Sequence, residues 1–408
     1  MGNMKRQKSL IMPKGFRASG VASGIKGDNK LDLGLIISDY NTTCAAAFTT
    51  NQIKAAPVRL SKKNLRRSDI RAAIVNSGNA NACNGKKGYE DAVLMTESIA
   101  QELNLKPWQV FTCSTGIIGY PLPIVNICSA VPDLVKKLKT NGWNRFSKSI
   151  MTSDSINKVA STQISINKKK VTITGAAKGS GMIAPNMATM LAFVVTDVAI
   201  NGSDLKAVTK SAVEDSFNSI SVDGDMSTND TVMVMANGAA GNSLPKSNSN
   251  DLRKFTEGLR RVMIDLAKKL VKDGEGVTKF VTLEVNGAVS VKDARKVSKA
   301  VSGSSLVKCS WNGSDPNWGR IIDAVGYSGA KVDEQKVDIF FGEYAGALGG
   351  EAAITPIGKL KKEVSKKAFT VRINLNLGSS SHRMFTSDLS EEYVAFNRLE
   401  YALKIQGH

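Results

Sequence analysis

Hydrophobic positions along this chain follow two different periods, and each period predicts a different element. Short β-prone runs bounded by Gly, Asn, Asp or Ser predict strands at 31–38, 44–50, 71–75, 110–112, 171–175, 190–195, 231–235, 280–285, 337–341 and 369–377. A 3.6-residue period predicts helices at 88–103, 205–217, 251–271 and 292–301, with another beginning within 315–320. The clearest is 251–271, where Leu252, Phe255, Leu259, Val262, Met263, Leu266 and Leu270 share one face. Its expected end is a C-cap at Gly274, which leaves Glu275 on a tight turn. Strands and helices alternate without a strict βαβ rhythm, so layered α+β packing is expected rather than a doubly wound sheet. A length of 408 residues favours two or more domains and allows a large core.

The polar segments between these elements carry the candidate chemistry. From Lys178 the chain reads Lys-Gly-Ser-Gly-Met-Ile-Ala-Pro-Asn-Met-Ala-Thr, and then enters the apolar run from Met190. A loop braced by a buried strand is a suitable holder for a nucleophile, and Thr189 stands at that junction. A plain glycine-rich turn ahead of a core strand has the same appearance. Asn76 to Cys83 holds three asparagines and no bulky side chain, a loop dense in donors and acceptors. Ser114-Thr115-Gly116 ends another short strand, where outward N–H groups and a hydroxyl suit an oxyanion. An ordinary strand-end turn reads alike. The Asp- and Asn-rich stretch from Ser221 to Asp230 lacks EF-hand spacing and a closing Glu, which argues against calcium.

Composition narrows the chemistry. With 42% apolar and 22% charged residues the chain has the make-up of a globular protein. Five cysteines without a CxxC pair indicate neither a disulfide framework nor a zinc ribbon. Lys5, Arg6 and Lys8 are followed by no apolar signal region, and no apolar run approaches membrane-spanning length. A cytoplasmic location without membrane association is therefore expected. The net charge of +19 is spread over lysine clusters, with 6% aromatics and no nucleic-acid motif. It reads as a solvated surface that steers anionic substrates, not as a nucleic-acid footprint. Histidines number two, His382 and His408, which leaves little material for a histidine-ligated metal or a Ser-His-Asp triad. The base of any acyl chemistry has to come from elsewhere.

Six segments taken together, in chain order, resemble the motifs of the ornithine acetyltransferase family, the glutamate N-acetyltransferases of arginine biosynthesis. They are Asn76 to Cys83, Ser114 to Gly119, Lys178 to Leu191, Ser216-Phe217-Asn218 with Asp223 to Asp230, Asp273 to Lys279, and Asp315 to Arg320. The likeness runs from Pro13 to about Asn397. It implies a four-layer αββα sandwich of the self-processing N-terminal-nucleophile-like type, with a smaller C-terminal α/β domain. It also implies cleavage between Ala188 and Thr189. The products would be an alpha chain of 1–188 and a beta chain of 189–408, with 189–285 completing the sandwich and 286–408 forming the smaller domain. Paired again, they would give an alpha2beta2 assembly. A freed Thr189 would have an α-amino group with a reference pKa of about 7.7–8.0, low enough to act as its own base near neutrality.

The resemblance further assigns Thr115 and Gly116 to the oxyanion hole, and Thr152, Lys178, Thr189, Glu275 and Asn397 to substrate binding. The implied substrates are N2-acetylornithine and glutamate, with no cofactor or metal, and acetyl-CoA open as a second donor. Lys178 suits the α-carboxylate that both substrates share, and Glu275 the side-chain ammonium of ornithine. The chain departs from the family pattern in places. Its tail reads Asn397-Arg398-Leu399-Glu400-Tyr401-Ala402 where an Asn-x-x-Tyr-Thr-Thr-like segment is usual, and Leu403 to His408 follow. Met226 stands where threonine is usual, and Phe385 and Ser387 stand for Trp and Cys. The alternatives are a self-processing amidase or aminopeptidase of similar fold, in which water is the acceptor, an impaired member of the family, and a basic RNA-associated protein.

Overall fold

Runs such as Leu-Gly-Leu-Ile-Ile-Ser and Leu-Ala-Phe-Val-Val-Thr are apolar at every position, and such strands need cover on both faces. The computed structural model describes residues 10–27, 29–67, 69–184 and 190–405, which divide into two compact units. The first draws on Met1–Gly179, Thr189–Ser216 and Ser227–Leu266. In chain order its elements are β1 (Phe16–Val21), β2 (Leu33–Ser38), β3 (Thr43–Phe48), α1 (Ala56–Leu65), β4 (Ala72–Asn79), α2 (Gly85–Glu102), β5 (Val110–Ile117), α3 (Ile124–Lys136), α4 (Trp143–Ser149), β6 (Lys158–Ile166), β7 (Lys169–Lys178), β8 (Leu191–Thr196), α5 (Gly202–Glu214) and β9 (Thr231–Ala236). The helix α6 (Asn250–Lys272) follows and runs across the boundary at Leu266.

Two sheets, ordered β1-β2-β4-β5 and β3-β9-β8-β7-β6, stack face to face. Phe16, Ile36, Val75 and Phe111 of one sheet meet Ala176, Leu191, Phe193 and Met233 of the other in a single buried cluster. The opposite face of the first sheet carries Leu35, Ile74 and Val110, covered by Met95 and Ile99 of α2 and Ile127 and Val131 of α3. On the far side of the second sheet, Val262 and Leu266 of α6 lie against β7 at Gly175. The order helix, sheet, sheet, helix is the expected four-layer αββα sandwich. Every residue of β2, β8 and β9 is buried, as two-sided cover requires.

The second unit has the other pattern. Along β10 (Phe280–Ala288), buried positions alternate with half-buried ones. One face of its sheet carries the main core. The elements that follow are α7 (Val291–Gly303), α8 (Ser305–Asn312), α9 (Trp318–Gly326), β11 (Asp338–Phe341), β12 (Tyr344–Leu348), β13 (Glu351–Ala352), α10 (Ile357–Val364), β14 (Ala368–Asn374), β15 (Ser380–Ser387) and α11 (Glu391–Ile405). The sheet order is β13-β12-β11-β14-β10-β15. Val297, Val301, Trp311, Ile321 and Val325 of the helices pack on Val281, Leu283, Ile339 and Val371.

Two expectations change. The stretch 113–117 continues β5 as strand, because parallel pairing with β4 persists through Gly116. Gly274 is no left-handed C-cap; the positive φ of +66° falls at Gly276. Gly274 is small because a Cβ there would lie 2.6 Å from Val277 Cγ2 and 3.0 Å from Val222 Cγ1. The departures at 385 and 387 lie inside the second unit. Phe385 stacks on Phe280, and the Ser387 hydroxyl takes a hydrogen bond from the buried Lys308 ammonium, a role a thiol fills poorly.

Candidate active site

The strand ends of the first unit bring together three residues far apart in sequence. Strands β4 and β5 run parallel, with Ser77 opposite Thr115 and Gly78 opposite Gly116. At that rung the backbones nearly touch. A Cβ on Gly116 would lie 2.2 Å from the Gly78 carbonyl carbon, and Gly116 has φ +136°. Only glycine fits. Thr115 is thereby held buried at the strand end, with Lys178, the last residue of β7, beside it. The Lys178 ammonium donates to Thr152 Oγ1 at 2.7 Å and to Thr115 Oγ1 at 3.1 Å. Each hydroxyl is thus an acceptor to a cation, which leaves its own proton to be donated outward.

Asp154 holds this cluster in place and was not singled out from sequence. Its Oδ2 accepts from the Thr152 N–H at 2.9 Å, and its Oδ1 from the Gly179 N–H at 2.7 Å and from Lys158 Nζ at 2.5 Å. Both side chains of the Asp154–Lys158 pair are fully buried. Burial alone would raise the carboxyl; the charges of Lys178 and Lys158 and the Gly179 N–H outweigh it and hold Asp154 below its usual range. The Asp-x-x-x-Lys spacing was the available signal, but only the fold makes it a buried pair.

Asp230, just ahead of β9, is a second such residue. Its Oδ1 accepts from the Met190 N–H at 2.8 Å. Burial drives its carboxyl well above the ordinary value, against the opposing Met190 N–H and the charge of Lys178. Ala188 and Thr189, which precede Met190, lie outside the described residues.

Glu275 and Asn397 meet within the second unit. Asn397 Nδ2 donates to Glu275 Oε2 at 3.2 Å and to the Tyr393 carbonyl at 3.0 Å. The Glu275 N–H donates to the Ser180 carbonyl at 3.0 Å, which draws its carboxylate over Gly181. A Cβ on Gly181 would sit 2.4 Å from Glu275 Oε2, so a side chain there would evict the carboxylate. Asp223 anchors the same segment, accepting from the Met182 and Ile183 N–H groups at 2.5 and 2.7 Å. Tyr393, also missed from sequence, has its phenol pushed up by burial and by the surrounding charges of Asp223, Asp225 and Glu275.

Other candidates prove structural. In the asparagine-rich loop, the Asn76, Asn79 and Asn81 amides donate to the carbonyls of Asn79, of Tyr120 and Pro121, and of Gly88. Those groups build the loop. His382 meets the Ser298 and Ser219 hydroxyls through its two ring nitrogens, and His408 lies outside the described residues. Among the described residues, no group of three or more His, Cys, Asp or Glu is placed to hold a metal ion. No described helix is long and apolar enough to cross a membrane.

The two stacked sheets with helices on their outer faces, carrying a cluster of hydroxyls and an ammonium at the strand ends, place the protein in the αββα sandwich class. A family model matches residues 17–401, and the chain belongs to the ArgJ family. It is 46% identical to the arginine biosynthesis bifunctional protein ArgJ of Geobacter sulfurreducens, over 94% of this chain and 98% of that one. It is 45% identical to ArgJ 1 of Clostridium acetobutylicum, over 94% and 95%. Among solved structures it is similar to the Bacillus halodurans argJ protein, with 36% identity and a TM-score of 0.49, covering 50% of this chain and 97% of that one. It is also similar to the Mycobacterium tuberculosis ornithine acetyltransferase complexed with ornithine, with 36% identity and a TM-score of 0.38, covering 42% and 92%.

Proposed function

We propose that this chain is a glutamate N-acetyltransferase of arginine biosynthesis, working through an acetyl ester on Thr189. The Thr189 Oγ attacks the acetyl carbonyl of N2-acetyl-L-ornithine, and its proton passes by way of the Thr189 α-amine to the departing ornithine amine. The α-amine of L-glutamate then attacks the ester, giving N-acetyl-L-glutamate and restoring the hydroxyl. The oxyanion of each tetrahedral intermediate is held by the Thr115 hydroxyl and the Gly116 N–H, each donor typically contributing about 2.7–4 kcal/mol. The reading is carried by the Lys178 ammonium donating to both Thr115 and Thr152. That contact makes the Thr115 hydroxyl an acceptor to a cation, which supports its proton being free to donate to an oxyanion, and it supports Lys178 as the partner of an α-carboxylate.

Thr189 gains its free amine by self-cleavage after Ala188, through attack of its hydroxyl on the Ala188 carbonyl and hydrolysis of the resulting ester. In this scheme Thr152 and Lys178 receive the carboxylate end of the substrate, and Glu275 with Asn397 the ornithine ammonium. The word bifunctional in the relatives' names supports a second activity. We assign it to acetyl-CoA as alternative acetyl donor to the same threonine, with no cofactor otherwise required. The two cleaved chains are proposed to assemble as alpha2beta2 in the cytoplasm.

The test is intact-mass measurement combined with product analysis. Purified protein is expected as two fragments, one beginning at Thr189, and to convert N2-acetylornithine and glutamate into ornithine and N-acetylglutamate. Thr189→Val should give one uncut chain without turnover. Full transfer by an uncut chain, or free acetate as the main product, would overturn the reading.

A further inference from the structure

An open cavity of about 490 Å³ in the first unit lies against Thr152, and three ammonium groups line it: Lys26, Lys30 and Lys148. Its lining carboxylate, Asp154, is already engaged by Lys158. The balance is positive in a concave space, which concentrates anions. The volume suits a small molecule.

Lys26 is held there by a built support. The fully buried Asp32 accepts from the N–H groups of Ser23, Ile25 and Lys26 at 2.6, 2.7 and 3.2 Å, which fixes the loop that carries the lysine. Because Asp32 takes those amides, the Lys26 ammonium turns instead to the carbonyls of Leu31 and Met151, at 3.0 and 2.5 Å. Its stem crosses Gly78: a Cβ on Gly78 would come 3.1 Å from Lys26 Cγ. Gly78 is the register partner of Gly116. The cavity therefore adjoins the cluster at Thr152, and Lys26, which lines it, packs by its stem on the Gly78–Gly116 rung.

Glutamate raises a difficulty that this cavity answers. If Glu275 accepts the ammonium of ornithine, that carboxylate repels the anionic side chain of the second substrate. Building on the transferase reading above, we propose that the cavity lined by Lys26, Lys30 and Lys148 receives the side-chain carboxylate of the dicarboxylic acetyl acceptor. Burial pushes the Lys26 ammonium down to about 8, the charges of Lys178 and Lys30 add to that, and Asp32 and Asp154 oppose it. A bound carboxylate would relieve it.

The test reads binding and the donor half-reaction separately. Calorimetry gives the affinity of the cleaved enzyme for glutamate, glutamine and CoA, and the burst of ornithine release without glutamate reports acetyl-enzyme formation. Lys26→Met, and the exposed pair Lys30→Gln with Lys148→Gln in case Lys26→Met does not fold, should weaken glutamate about tenfold. Glutamine affinity should hardly move, so the preference for glutamate collapses, while the burst persists. Unchanged glutamate affinity in the Lys30/Lys148 variant, or loss of CoA binding with glutamate spared, would overturn the cavity assignment. Absence of a burst in the unmodified enzyme would instead refute the transferase reading, and the glutamate-to-glutamine affinity ratio would still decide the cavity.

Discussion

Asp154 has both carboxylate oxygens engaged, by two backbone N–H groups and the Lys158 ammonium. Its lowered pKa carries a pH signature. A carboxyl below its unfolded value, about 3.9, contributes stability that is complete above that value and is lost as pH falls through the folded one. Asp154→Asn should therefore remove part of the acid limb of the stability–pH curve. It should also cost about 3–5 kcal/mol near neutrality, because Lys158 is left buried without a counter-charge. Urea midpoints at several pH values check both, and an unaltered acid limb would contradict the assignment. Lys178, Thr115 and Thr152 were named from sequence and the fold brings them together, but the motif could not show that one ammonium serves both hydroxyls. Asp154 escaped notice because an Asp four residues before a Lys is ordinary surface chemistry until the fold buries both.

At the scale of elements, the strands were easier to find than their ends. β4 and β5 each extend well beyond the apolar run that announced them, into Asn-Ser-Gly-Asn and Ser-Thr-Gly-Ile. Parallel pairing keeps small polar residues in strand geometry there, an effect outside local propensity. The facing sheets depend on large side chains at their centre. Phe193 of β8 is fully buried and meets Phe146 edge-on at 5.4 Å between ring centroids. Phe193→Ala should cost about 3–5 kcal/mol, read as a lower denaturation midpoint. A shift below about 1 kcal/mol would mean that the interface between the sheets is far looser than described.

On the scale of the whole molecule, the proposed cut falls within a sheet. β3, β6 and β7 lie before Thr189 in the chain, and β8 and β9 after it. Yet β8 pairs with β7 from Ile173↔Thr196 to Lys178↔Leu191, and β9 pairs with β3 from Thr43↔Ala236 to Phe48↔Thr231. The two fragments share one ladder and one core. They should elute together in gel filtration and separate only in denaturant; separation in plain buffer would contradict the topology. The net charge of +19 takes a local form beside Thr152, where three lysines line one cavity.

Hydrophobic period and turn residues alone marked the most apolar strands of the two central sheets and the two longest helices, though not β1, β6, β15, α1 or α3; they also indicated that the layers are α+β and, through ordered motifs, which family the chain resembles. These are local properties, set by side-chain type and spacing. Tertiary structure alone decided that Lys178 bridges Thr115 and Thr152, that Asp154 and Asp230 are buried carboxylates, and that three lysines line one cavity. Charge acquires its chemical meaning from burial and from neighbours distant in sequence, and neither is written in any single stretch of the chain.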